Sequence, residues 1–296
     1  MKKIVTHSGQ FHCDDVFAVA TLELYLEKTD TKYTVIRTRN EDEFVTADFL
    51  IDVGGEYDPS RNRFDHHQKE GAGIRDNGIP YASFGLVWKT FAPLLCSDLR
   101  VVEKVEKKLV MPIDAGDSGM LLYSPKIENI YEYSIAQAIA AFVPTWKEND
   151  QSPTDIFPTV VAFAKQIIQR EIKKAEDKIV AEQEVLRVYQ DAIDKTIIEF
   201  PMHYPWKETL SKYEEPLYII SPREDKKYQV QAVPKGNPLE MKYRKYFPRE
   251  WGGLRSEELA KITGVSDALF CHKDCFLVVA GSLLGARTLA QLAVNA

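Results

Sequence analysis

Ile4-Val5-Thr6-His7-Ser8-Gly9-Gln10-Phe11-His12-Cys13-Asp14-Asp15 is the stretch on which the fold turns. Its first three residues are apolar or β-branched and predict a short strand. Val16, Val19, Ala20 and Leu26 then recur at helical spacing and predict a helix from Asp14 to about Lys28. Two further strands are predicted, at Tyr33-Thr34-Val35-Ile36-Arg37-Thr38 and at Phe49-Leu50-Ile51-Asp52-Val53, with Asp52 near the end of the second. Strands alternating with amphipathic segments imply an α/β domain with a parallel, doubly wound sheet. Such sheets gather ligands at the carboxyl ends of their strands, where His7 and Asp52 both fall.

Downstream, Phe64-Asp65-His66-His67 offers an oxygen donor and two imidazoles in one short span, a set suited to a divalent transition metal. A polar, glycine-bearing loop over residues 68–78 follows and reads as mobile and lying over the site. Helices are expected over residues 82–95 and 98–111. Pro112-Ile113-Asp114-Ala115-Gly116-Asp117-Ser118-Gly119 then reads as a tight turn bearing a third acidic cluster. Residues 131–142 predict another helix, and residues 144–158 a proline-bearing connection.

From Val161 to Ile193 one apolar stripe recurs at steps of mostly three and four, which predicts a single long helix with a solvated charged face. The last hundred residues read as a smaller α+β domain. It comprises a hairpin of residues 217–220 and 228–233, a helix capped by Ser256 and ending near Gly264, a strand over 276–280 and a closing helix over 285–293. The expected division is therefore residues 1–145, a connecting segment 146–200 and a C-terminal domain 201–296.

Bulk properties narrow the function. The 296 residues are 45% hydrophobic and 28% charged, with a net charge of −6, which argues against coating nucleic acid by overall positive charge but leaves room for a local basic groove. No apolar run is long enough to span a bilayer, and Met1-Lys2-Lys3 leads straight into the first strand, so a cytoplasmic protein is expected. Cys13, Cys96, Cys271 and Cys275 are too few and too scattered for a disulfide framework, and reduced buried thiols are the reading.

Taken singly, each acidic or histidine residue has a bland explanation: Asp14 as a helix cap, Asp15 as a first-turn charge, a lone histidine as a satisfied loop residue. Taken together they do not. Four of the six histidines fall in the first motif and at residues 66–67, beside Asp14, Asp52, Asp65 and the pair Asp114 and Asp117. Carboxylates gathered so closely repel one another unless cations neutralise them, and two bound divalent metals would do so. The donor set favours Mn²⁺, with Zn²⁺, Co²⁺ and Mg²⁺ as alternatives.

The order of these motifs resembles the DHH phosphoesterase superfamily, which includes RecJ-type exonucleases and family II pyrophosphatases. More closely, Thr6 to Asp15, Phe64-Asp65-His66-His67, Gly253-Leu254-Arg255 and Phe270-Cys271-His272 look like the melanocyte-proliferating-gene (Myg) branch. That branch is described as metal-dependent hydrolases, with RNA exonuclease activity attributed to a eukaryotic member. The resemblance covers nearly the whole chain. It departs at the first motif, where His12 stands in the place of the usual first aspartate, after a loop one residue longer.

Carried over residue by residue, the resemblance implies one metal at His7, His12 and Asp52. The other would sit at Asp14, Asp52, His66 and a fourth-motif aspartate, with Asp52 as the bridge. Asp117 is favoured for that last position because Asp117-Ser118-Gly119 resembles the superfamily's Asp-Thr-Gly, and Asp114 is the alternative. Asp65 would orient a neighbouring histidine, leaving His67 to meet the phosphate or protonate the leaving oxygen. Arg255 and His272 would clamp substrate phosphate from the smaller domain.

The implied enzyme hydrolyses phosphodiester bonds by attack of a metal-bridging hydroxide, at the end of an RNA or short oligonucleotide, in a cleft between the two domains. A hydrolase of nucleotides or pyrophosphate and a non-catalytic metal-binding regulator are the alternatives. The long helical stripe leaves a homodimer open.

Overall fold

The computed structural model describes residues 1–148, 150–236 and 241–296. It divides into two compact units, Met1–Glu176 and Asp177–Ala296. The division falls within one long helix, so the helix itself is the covalent join.

The first unit is built on a five-stranded sheet. In chain order its strands are β1 (Lys2–Thr6), β2 (Tyr33–Arg37), β3 (Phe49–Ile51), β4 (Tyr57–Asp58) and β5 (Arg63–Phe64), and their order across the sheet is β2-β1-β3-β5-β4. β1 pairs in parallel with both β2 and β3, and β3 in parallel with β5, while β4 is an antiparallel edge strand. The register aligns Thr6 with Arg37 and Ile51, and Ile51 with Phe64. Consequently His7, Asp52 and Asp65, each the next residue after its strand, emerge along one edge. Strand order reverses between β1 and β3, and sheets of this kind open a crevice at that point.

Alternation along the strands buries both faces. On one, Val5 and Leu50 pack against Phe44 of the short helix α2 (Glu41–Val45). On the other, Phe49 and Phe64 meet Phe91 of α3 (Ser83–Leu95), and Phe84 of α3 meets Phe17 of α1 (Cys13–Lys28). The first ten residues of α1 are all buried, including the acidic pair Asp14 and Asp15.

The expected turn at residues 112–119 is instead helical. A helix α4 (Leu99–Val105) passes through a π-helical turn, Glu106–Val110, into α5 (Met111–Asp117). Pro112 lacks an N–H and its ring crowds the carbonyl four residues back. The wider π turn before it relieves that clash and lets the helix go on. Gly119, at φ +71, ends it.

The helix expected at 131–142 is shorter, α6 (Ile135–Ala140), because Ser134 and Gln137 form a capping box that fixes its start. The long helix α7 (Pro153–Asp191) begins earlier than its apolar stripe, inside the stretch read as a connection. The loop over residues 68–78 is not free-standing: Ile74 bridges Pro80, and Arg75 beside it is 8% exposed.

The second unit carries a sheet of order β6-β7-β8-β10-β9, formed by β6 (Ile197–Glu199), β7 (Tyr218–Pro222), β8 (Tyr228–Ala232), β9 (Ala268–Cys271) and β10 (Leu277–Ala280). All pairs are antiparallel except β6 with β7. A short helix α8 (Lys207–Leu210) precedes β7, and α10 (Leu283–Asn295) packs Ala286, Leu289, Ala290 and Ala293 on the sheet. Helix α9 (Ser256–Thr263) is preceded by Arg255 as its cap residue, so Ser256 is the first helical residue and not the cap. Among the described residues no helix is long and apolar enough to cross a membrane.

Candidate metal centre

Three strand ends and two helices converge on one cluster. From the sheet edge come His7 after β1, Asp52 after β3 and His66 two residues after β5, while α1 presents Asp14 and Asp15 from its first turn and α5 presents Asp117 from its last. Asp52 sits at the centre. Its Oδ2 is 3.3 Å from His7 Nε2 and its Oδ1 is 3.2 Å from His66 Nε2, so the two carboxylate oxygens face different imidazoles. Its backbone lies in the left-handed region at φ +56, a conformation aspartate tolerates better than most residues, and Ser83 Oγ donates to its Oδ1 at 2.8 Å.

His66 Nε2 also lies 3.3 Å from Asp117 Oδ2 and 3.6 Å from Asp14 Oδ2. Among the described residues, three donor groups fall within metal-binding reach: His7, His12 and Asp52; Asp52, His66 and His67; and His12, Asp14 and Asp117. They share Asp52 and His12, so they are overlapping parts of one centre.

The electrostatics ask for a cation. Asp14 is fully buried, and among the described residues neither of its oxygens has a hydrogen-bond partner; His7 Nε2 and Asp15 Oδ2 are likewise without one. Burial, and then the charges of Asp52 and Asp117, hold the Asp14 carboxyl well above its usual range. Burial alone would depress the His7 imidazole, but its contacts with Asp15 and Asp52 outweigh this and push it up to about 10. Asp52 goes the other way: burial opposes its charge, yet His66 and His7 hold it well below the carboxylate range. Buried oxygens without donors are costly unless something positive meets them, and carboxylates and imidazoles together form a donor set for a divalent transition metal. The residues therefore fit such an ion.

Asp65 stands apart from this set. Its oxygens accept from the backbone N–H of Gly55 (2.6 Å), His66 (2.8 Å) and His67 (3.2 Å), and Oδ1 lies 2.7 Å from His67 Nδ1. It holds the ring of His67, not that of His66. The His67 side chain is 60% exposed, and with Nδ1 engaged by Asp65 its Nε2 is the nitrogen left to exchange a proton.

Asp114 and Asp117 lie almost one turn apart on α5 but meet different partners. The Asp114 carboxylate is closed off: Arg75 Nη2 donates to Oδ2 at 2.7 Å and the Gly85 amide to Oδ1 at 3.0 Å. A Cβ on Gly85 would stand 1.9 Å from Asp114 Oδ2, so only glycine admits the carboxylate there. Asp117 is the member of the pair that reaches His66.

Three site-supporting residues escape a sequence reading: Ser83, whose hydroxyl holds Asp52, and also Asp15 and Arg75. Asp15 looks like a helix-start charge, yet it is fully buried, accepts from the His12 backbone N–H at 2.9 Å and lies 3.2 Å from His7 Nε2. Arg75 looks like a loop cation, yet it ties the 68–80 loop to Asp114, Glu106 and the Pro80 carbonyl. The only signal for Asp15 was its adjacency to Asp14; Arg75 had none.

Arg255 and His272 belong to the second unit and are neighbours there, Arg255 bridging Phe270 on β9 and His272 following that strand.

Known proteins resemble the chain over nearly its whole length. MYG1 exonuclease from Homo sapiens is 28% identical over 98% of this chain and 85% of its own length. MYG1 protein C694.04c from Schizosaccharomyces pombe is 28% identical over 99% and 97%, and MYG1 protein from Chlamydia muridarum 27% over 94% and 91%. Among solved structures, RecJ in complex with Mn²⁺ from Thermus thermophilus shows 11% identity and a TM-score of 0.29 over all of this chain, which spans about half (52%) of that one; a TM-score this low carries no weight. The MYG1_exonuc family model, described as an uncharacterised protein family (UPF0160), matches residues 3–294, and the chain belongs to that family.

Proposed function

We propose that the chain is a metal-dependent phosphoesterase that hydrolyses phosphodiester bonds, acting as an exonuclease on RNA or short oligonucleotides. The observation that carries this reading is the placing of Asp52 between His7 and His66, one oxygen toward each. Two divalent ions, Mn²⁺ first among them, would be held by His7, His12 and Asp52 on one side and by Asp14, Asp52, His66 and Asp117 on the other. When bound, such ions activate water as a nucleophile and neutralise phosphoryl charge. The relatives named exonucleases support the substrate class.

The chain's own residues supply the rest. Asp65, fixed by three backbone donors, keeps the His67 ring in one orientation, and His67 Nε2 would give a proton to a leaving oxygen. Asp15 steadies both the His12 backbone and the His7 ring. Ser83 does the same for Asp52.

The test is hydrolysis of a labelled oligonucleotide series, from mononucleotide upward, by the Mn²⁺-loaded chain beside Asp52→Ala and His66→Ala. Activity should rest on metal and fall by more than about a hundredfold in both variants, beyond what losing an outer-sphere partner costs. A metal-loaded wild type that cleaves none of these substrates, or variants that keep full activity, sinks the proposal. Cleavage confined to mononucleotides or pyrophosphate would shift the substrate to small phosphates.

A further inference from the structure

The connection between α5 and α6 differs from the rest of the surface. Large apolar side chains stand exposed here and there on any folded protein. In this chain ten of them fall between Met120 and Trp146, against thirteen over all the other described residues. Leu121 is 82% exposed, Tyr123 75% and Trp146 85%, and Ile127, Ile130 and Tyr131 are open to a similar degree. Charge is scarce over the same stretch: residues 118–146 hold one cation, Lys126, and two acids, Glu128 and Glu132, in a chain that is 28% charged.

Both ends of the stretch are fixed. Met120 N–H donates to the Ala115 carbonyl where α5 ends, and the Ser134–Gln137 capping box starts α6. Ile113 and Ile139 bury those two helices in the first unit. In between, every residue from Ser118 to Ser134 is exposed. Over residues 121–133 the one backbone–backbone hydrogen bond among the described residues runs from Ile130 N–H to the Ile127 carbonyl. The result is an apolar strap tied down at each end. Its ends stand at the metal centre, for Asp117 of α5, Ala136 and Ala140 of α6 and His12 line one cavity of about 330 Å³.

We propose that the strap is the contact surface of a homodimer, in which the straps of two copies pack against each other across a twofold axis. Ten side chains of this size, open to this degree, present on the order of 1,000 Å² of apolar surface. A stable interface takes about 800 Å² from each partner, and homodimers take more. Composition points the same way. Transient interfaces are about as polar as the rest of a protein surface, whereas homodimer interfaces are more apolar, rich in Tyr, Trp and Met and poor in charge. With one cation and two acids, the strap meets its own copy at little electrostatic cost. Anionic lipid surfaces and nucleic acids both recruit clusters of Lys and Arg, and the strap has a single lysine. Pairing gives the strap the packing it lacks within one chain, and so steadies the α5–α6 wall from which Asp117 reaches His66.

The experiment is analytical ultracentrifugation of the full chain in EDTA, from about 1 to 100 µM, so that it stands apart from the phosphoesterase reading. The chain should sediment with twice its own mass, and hydrogen exchange at amides 121–133 should slow as the dimer fills. Leu121→Asp combined with Tyr131→Asp should raise the dimer Kd more than about a hundredfold, whereas Leu121→Met combined with Tyr131→Phe, which keep the apolar area, should stay within about threefold. Both positions are exposed in the single chain, so thermal midpoints of dilute, monomeric protein should match between the variants and wild type. Leu284→Asp, at a 72% exposed apolar residue of α10, should leave the dimer intact.

The proposal is overturned if the wild type stays monomeric at the highest concentration, if the double-aspartate variant dimerises like wild type, or if Leu284→Asp breaks the dimer as fully. A monomeric wild type whose strap binds anionic vesicles or single-stranded RNA would hand the surface to that ligand and overturn the dimer as well.

Discussion

Two groups of carboxylates are buried in the first unit, and the fold treats them in opposite ways. Asp114 receives its own cation, Arg75, together with the Gly85 amide, and Glu106 shares the same guanidinium. Among the described residues, Asp14, Asp15 and Asp52 gather at the sheet edge with no lysine or arginine in ion-pair contact; the basic groups beside them are His7 and His66, both of a type able to bind metal. Where a carboxylate only ties a loop to a helix, the chain supplies the counter-charge. Where it leaves the counter-charge out, as at the Asp14 oxygens without donors, a cation from outside would fit. Asp114 and Asp117, three residues apart on α5, stand on the two sides of that divide.

The sharpest way to break this contrast is to remove the internal cation. Arg75→Met keeps most of the side chain's bulk and strands the Asp114 carboxylate, so stability should fall by about 3–5 kcal/mol whether or not metal is present. Burial already pushes Asp114 up to about 7 with Arg75 in place, so it has little tolerance for losing that partner. Chemical denaturation with and without Mn²⁺ measures it. A loss under about 1 kcal/mol would mean that the pair is dispensable and the two groups are not different in kind.

The opposite substitution should have the opposite sign. Asp14→Asn removes a buried carboxylate that has no hydrogen-bond donor among the described residues and a 3.6 Å contact with the His66 imidazole, and its amide can donate to Asp52 or Asp117. In EDTA the variant should be more stable than wild type, by roughly 1–3 kcal/mol, and should lose most of the stabilisation that metal gives wild type. The gain should be clearer at pH 8 than at pH 5, because a carboxyl held above its usual range costs the native state more as pH rises. Thermal melts at both pH values, with and without metal, decide it. Destabilisation in EDTA would show that Asp14 is satisfied in a way the contrast denies.

What the sequence discloses follows the same divide. The external-cation side was largely legible, since His7, His12, Asp14, Asp52 and His66 belong to short motifs next to strand ends, and a parallel sheet must bring such ends together. The internal side was not. Arg75 pairs with Asp114 across 39 residues, and no local pattern announces that contact. Asp15 was hidden by its position, where a surface helix would carry the same residue as a first-turn charge. Residues 112–119 look like a turn by composition; the π turn that carries a helix through Pro112 is a backbone adjustment with no signature of its own. That helix is also what turns Asp114 toward Arg75 and Asp117 toward His66. Strands β4 and β5, two residues each, are too short for any periodicity to register.

The smallest expected effect concerns protons. In the metal-free protein His7 stays protonated up to about pH 10, against 6.5 for an ordinary histidine, because Asp15 and Asp52 outweigh its burial. A raised folded-state value means that protonated His7 stabilises the metal-free fold fully below pH 6.5, and that this contribution is lost as pH rises toward 10. Metal needs the imidazole neutral, so uptake must expel the proton, and affinity should climb about tenfold per pH unit for each proton displaced. The two trends run in opposite directions, so the gap between metal-loaded and metal-free melting temperatures should widen across that window. Calorimetric titration with Mn²⁺ in buffers of different ionisation enthalpy counts the protons directly. Arg75 and Asp114, paired already, should contribute none, and Arg75→Met should leave the count unchanged. Uptake without proton release would mean that His7 meets the ion already neutral, and that Asp15 and Asp52 do not act as its counter-charge.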